Sequence, residues 1–212
     1  MTEGYWTILL FIMLLILFLT GWKSWLDRHV NVTFIGLSYI SIWISNWFGW
    51  IIPLDINMFK LTIDGSIILI LLFQLVFLFK GIPQKSQVLY SIMYILLLAL
   101  VSTISHAIIL YSPWVEANIA VWYIPIGCGV LLGALGISIS QLGAIVFWGA
   151  ICAELLLLWQ QKGEYIAHIG NLLWWDMISM SIIFGYIFIL IFELVVKIGH
   201  NFIEILQNRT KS

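Results

Sequence analysis

Apolar residues in this chain fall into long, nearly unbroken runs separated by short polar breaks. They show neither the alternation of a half-buried strand nor the narrow stripe of a surface helix. A helix needs ~20 apolar residues to cross a bilayer's hydrocarbon core. The runs predict seven such spans, at about 5–22, 32–52, 64–79, 88–111, 118–137, 142–160 and 176–196. Pro53, the Gly81/Pro83 pair and Ser112-Pro113 punctuate them. The segment 54–63 reads as a loop, and spans five and six as a tight hairpin turning at 138–141. In the segment 161–175, Tyr165, Ile166, Ile169, Leu172 and Leu173 stand at helical spacing. That pattern predicts an amphipathic helix on the membrane surface. The expected fold is all-α: a polytopic membrane protein, a bundle of seven transmembrane helices forming a single membrane-embedded domain over 1–212.

Charge gives the bundle a direction. With seven spans, Lys23, Arg28, Lys80, Lys85, Lys197, Arg209 and Lys211 fall on one side, and only Lys60 and Lys162 on the other. Lys and Arg in short loops stay in the cytoplasm, so the N-terminus is expected outside and the C-terminus cytoplasmic. Trp6, Trp47, Trp50, Trp114, Trp122, Trp159, Trp174 and Trp175 lie near outer span ends and read as an interfacial belt. Only 9% of residues are charged and 63% are hydrophobic, against ~25% charged in soluble domains. A net charge of -1 leaves no basic face for nucleic acid. Cys128 and Cys152 fall inside spans and read as small apolar residues, not a metal site or a disulfide. The first residues carry no Lys or Arg, so span one reads as a retained helix rather than a signal peptide.

The conspicuous exception to this apolar plan is Glu154, inside span six. An ionisable group in a span faces the bundle interior or a wet cavity, because burying its charge in lipid costs about 2.5 kcal/mol or more. Glu154 lies six residues before Gln160, or about 9 Å below the span's outer end at 1.5 Å per residue. His106 in span four and Asn46 in span two lie at nearly the same depth. Ser102, Ser105 and His106 share a helix face, and Ser45 precedes Asn46. These six residues form a candidate polar pocket, with Glu154 and His106 as a titrating pair and Asp64 and Asp176 at its rim. The bland alternative is hydrogen bonding between helices as packing glue. Gly129 and Gly133 in span five make a G-x-x-x-G, a close-packing surface expected to meet span six through Gly143 and Ala150.

Other chemistry is excluded by position. A retinal protein needs a lysine in the middle of its last span, and Lys197 is at the end. The Gly136-Ile137-Ser138 run lies at the cytoplasmic turn, away from His168 and His200. No H-E-x-x-H or nucleotide loop is present. No cofactor or metal is expected. The short outer N-terminal segment, seven spans with minimal loops and the GWKSW run at Gly21–Trp25 resemble the YphA-like membrane proteins of Bacillus-type bacteria. That resemblance implies a bacterial plasma membrane location and carries no activity. The expected role is a non-enzymatic accessory or structural membrane component, its partners the lipid bilayer and another membrane protein. The alternative is a small transporter or proton-coupled permeation protein built on the Glu154 pocket.

Overall fold

Without water to satisfy backbone groups, an apolar segment closes its hydrogen bonds internally as a helix. The computed structural model describes residues 3–20, 32–56, 59–78, 85–111, 117–137, 139–161 and 165–210. It is 81% helical, with seven helices among the described residues. These are α1 (Tyr5–Leu19), α2 (Val32–Phe48), α3 (Gly65–Leu78), α4 (Lys85–Tyr111), α5 (Ala117–Ala134), α6 (Ile139–Gln160) and α7 (Leu172–Thr210). Among the described residues, three stretches are long and apolar enough to cross a membrane: Val88–Ile108, Gln141–Gln160 and Leu172–Gly199. At 39 residues, α7 is about 58 Å long at 1.5 Å per residue.

The fold is not purely helical. Strands β1 (Ile51–Ile56), β2 (Phe59–Asp64) and β3 (Ile166–Ile169) form one sheet in the order β1-β2-β3. The hairpin β1–β2 is antiparallel, and β3 joins β2 in parallel. This corrects three expectations. The segment 54–63 is not a loop but carries most of the β1–β2 hairpin, its strands pairing from Ile51 with Asp64 to Ile56 with Phe59. Span two ends at Phe48 and not at 52, because Gly49 turns the chain with φ 58° and Ile51 enters β1. The segment 161–175 is not one surface helix. In β3, Ala167 and Ile169 are buried while Ile166 and His168 are exposed, so period two overrides the helical spacing. Gly170 ends the strand with φ 95°, and a Cβ there would stand 2.7 Å from Ile67 Cγ1 and 2.8 Å from Asp64 Cβ.

Helix directions follow from which residues meet. α4 and α6 run parallel, with Gly149 against Leu98 deep in the pair and His106 facing Tyr165, just beyond the end of α6. α5 and α7 also run parallel: Gly129 meets Ser181 and Gly185, and Gly133 meets Phe188. The G-x-x-x-G therefore packs on α7 and not on α6, and Gly143 faces open space. A Cβ on Gly129 would run into the Ser181 carbonyl oxygen, so backbone approaches backbone. Instead of a tight α5–α6 hairpin, the main packings are α5 on α7 and α4 on α6, with α2 on α3.

The buried core draws most heavily on α6 and α7. Phe147, Trp174 and Trp175 form an aromatic cluster with ring centroids 5.0–6.0 Å apart. Trp174 and Trp175 are thus core residues rather than part of a belt, and the Trp175 indole N–H donates to Ser66 Oγ at 3.3 Å. Trp47 and Trp159, in contrast, are largely exposed.

Candidate functional site

Asp176, expected at a pocket rim, is buried within the fold at 1% exposure. Its Oδ2 accepts from the Gly4 N–H at 2.7 Å, and its Oδ1 accepts from the Thr7 N–H and Thr7 Oγ1 at 2.8 Å each. The carboxylate of α7 thereby caps the first turn of α1, where free N–H groups and the helix dipole favour an anion. Asp64 does the same for α3, accepting from the Ser66 N–H at 2.9 Å and from the Ser45 hydroxyl. Both acids are helix caps, and neither is among the residues that line the cavity described below.

Ser45 is committed to Asp64 and Asn46 is exposed at the end of α2. α2 packs on α3 and not on the α4–α6 pair, so neither residue reaches Glu154. Ser105 is half-buried on α4, outside the cavity. Three of the six pocket candidates do come together: Ser102, His106 and Glu154 line one cavity of about 70 Å³ between α4, α5, α6 and α7. Its walls are otherwise mostly apolar, with Leu98, Ile124, Val146, Leu157 and Ile178 among them. Pro125, Cys128 and Ser181 also contribute.

Glu154 is 9% exposed, and its Oε2 accepts a 2.7 Å hydrogen bond from the Tyr165 hydroxyl. The Tyr165 ring also stands edge-on to His106, with centroids 6.3 Å apart. Tyr165 thus bridges the two titrating groups from the segment just before β3. Burial, then the Glu154 charge and its hydrogen bond, push the Tyr165 phenol well above its ordinary range. It stays protonated and remains a donor. His106 and Trp174 line the cavity, but His106 Nδ1 and Trp174 Nε1 are themselves fully buried, with no hydrogen-bond partner among the described residues. Among those residues no group of three or more His, Cys, Asp or Glu side chains is placed to hold a metal ion.

Tyr165 and Trp174 were not legible as site residues. Tyr165 stood in a segment whose helical spacing pointed to the membrane surface, and Trp174 read as part of the interfacial belt; the approach to β3 brings Tyr165 back to Glu154. Comparison with protein-family models, curated proteins and solved structures finds no match for this chain.

Proposed function

We propose that the chain is a small permeation or transport protein of the plasma membrane, working through the cavity around Glu154. The observation that carries this reading is a buried carboxylate, held by Tyr165, that lines a mostly apolar cavity together with His106 and Ser102. Intramembrane acids beside a cavity and a histidine suit a proton or ion pathway. The protein crosses the bilayer seven times, N-terminus outside and C-terminus cytoplasmic. Support comes from the seven-against-two sorting of basic residues and from parallel α4/α6 and α5/α7 pairs, as alternating crossings require. At 15 and 14 residues, α1 and α3 cross where the bilayer is locally thinned. The bacterial setting rests on the YphA-like resemblance.

The test is proton flux into liposomes carrying the purified protein, driven by an imposed potential and read by an internal pH dye. Flux above empty liposomes that falls to background in Glu154→Gln supports the reading. Wild-type protein indistinguishable from empty liposomes refutes it. Orientation is read by single cysteines at positions 57, 85 and 211, without Cys128 and Cys152. An impermeant thiol reagent on whole cells labels 57 alone.

A second reading, the non-enzymatic accessory component, is favoured by α7. Leu190, Ile191, Phe192, Leu194, Val195, Val196 and Ile198 are all exposed, an apolar surface around most of one helix that only the face of Glu193 and Lys197 interrupts, suited to lipid or to a partner's helix. Under this reading Glu154→Gln alters assembly and leaves no flux to lose.

A further inference from the structure

We propose that the cavity is a binding site for a short, uncharged aliphatic alcohol. The proposal rests on the cavity of the permeation reading but not on flux through it. α4 packs on α5 and on α6, and α7 packs on the same two helices, so the four close a ring around the cavity. Small residues from every member of the ring hollow its centre: Ser102 from α4, Cys128 from α5, Ala150 and Ala153 from α6, and Ser181 from α7. Protein interiors are close-packed, and voids larger than a water molecule are few. Beside this one, Gly149 meets Leu98 so closely that a Cβ would not fit. The cavity is therefore space left open by the choice of side chains in a ring that is otherwise tight.

The surface an occupant would touch decides its class. That surface is mostly carbon. Bringing a charge against carbon is costly, and no Lys or Arg lines the cavity to receive an anion. Apolar cavities of this kind stay dry and take small apolar guests. One polar group of the wall narrows the class further. Ser181 donates its hydroxyl proton to the Met177 carbonyl at 3.0 Å, and Glu154 Oε2 accepts from Tyr165. The Ser102 hydroxyl makes no hydrogen bond among the described residues and, unlike His106 Nδ1 and Trp174 Nε1, keeps accessible surface. A serine hydroxyl both donates and accepts, so a hydroxyl on the guest matches it in either direction. Size sets the length: about 70 Å³ holds about five non-hydrogen atoms at the ~10–15 Å³ needed for each water-sized group. Butan-1-ol has this chemistry and this size.

The experiment is photolabelling of the purified full chain in nanodiscs with a butan-1-ol that carries a diazirine, its adducts mapped by mass spectrometry. The expected result is saturable labelling of Ser102, Cys128 and Ser181, competed by plain butan-1-ol and not by butylammonium or butanoate. Leu96 and Leu100, exposed on α4, take label without saturation and serve as the control within the molecule. Ser102→Ala raises the half-saturating concentration about 2- to 10-fold, the range for a neutral hydrogen bond. Ala150→Phe fills the cavity and abolishes the saturable adducts. Both variants are compared as monodisperse protein. Labelling confined to the exposed face of α4, or cavity adducts that survive Ala150→Phe, overturns the site. Butylammonium or butanoate competing as well as butan-1-ol, or an unchanged half-saturation in Ser102→Ala, overturns the alcohol class. Proton flux in the same preparation separates the two readings. Saturable labelling without flux keeps the alcohol site and removes permeation, and flux without saturable labelling does the reverse.

Discussion

Asp176→Ala is the most informative perturbation of the fold, because one buried side chain ties the first helix to the last. The substitution removes the acceptor for the Gly4 and Thr7 N–H groups and for the Thr7 hydroxyl. The hydroxyl can turn back to a carbonyl of its own segment, but the two N–H groups have no such choice. Each orphaned buried donor costs about 1–3 kcal/mol, and losing a negative charge at the α1 N-terminus costs about 0.3–1 kcal/mol more. Relief of the carboxylate's own desolvation offsets part of this, so the expected loss is about 3–4 kcal/mol. Asp176→Asn keeps one acceptor oxygen and should lose about half as much. Thr7→Val removes one of the three bonds and should cost about 1 kcal/mol. The assay is reversible SDS-induced unfolding of the purified protein, with Thr7→Val and Asp176→Ala combined in a double-mutant cycle. Additive effects of the two, or an Asp176→Ala protein within 1 kcal/mol of wild type, would refute the cap.

The glycines give a second ordered set. Gly129→Ala drives a methyl into the Ser181 carbonyl and the Gly185 N–H and should lower stability by about 1–3 kcal/mol, whereas Gly143→Ala, facing open space, should not lower it. Thermal unfolding in detergent separates them, and equal effects would remove the α5–α7 contact from the account. Gly170→Ala combines a positive φ with contacts on Ile67 and Asp64, and should reduce folded yield more than Ala→Gly at Ala167, which only thins the strand. Tyr165 predicts a pH effect. Its phenol is held protonated in the fold while the unfolded chain releases that proton above the ordinary value of 10.0. The unfolded state then binds fewer protons, so stability is full below pH 10 and falls above it, by up to about 1.4 kcal/mol per unit. Melting between pH 8 and 11 should show a shallower decline in Tyr165→Phe, and an identical decline would contradict the placement.

The helices were legible because each is an apolar run bounded by turn residues, a signal that needs no knowledge of partners. What was illegible is everything decided between segments. Ile51 and Ile52 continue the apolar run of α2 and were read with it, yet they pair with Asp64 and Ile63 in a sheet. Tyr165 to Leu173 satisfies a helical and a strand period at once, and Gly170 decides between them through its conformation. For the pocket, equal depth along span two, span four and span six was readable, but facing was not. α4 and α6 do face each other, and bring His106 and Ser102 to Glu154. α2 packs elsewhere, which removes Asn46 and Ser45.

The three acids make the same point in chemical terms. An acid at the end of an apolar run looks exposed in sequence, and one in the middle looks anomalous. Folding reverses the first impression. Asp176 receives three hydrogen bonds and Asp64 two, one each from a backbone N–H and a serine hydroxyl. Their acceptor capacity is used by helix starts, and substituting them should damage the fold. Glu154 caps nothing. It sits in mid-helix, where backbone N–H groups are already bonded, and among the described residues its donor is a tyrosine borrowed from another segment. A carboxylate kept in such a place contributes less to stability than a well-packed apolar side chain of similar size. Glu154→Leu should therefore leave the protein as stable as wild type or more so, measured by the same SDS unfolding. Destabilisation by more than about 2 kcal/mol would make Glu154 a structural group after all, and remove the reason for assigning the cavity a permeation path.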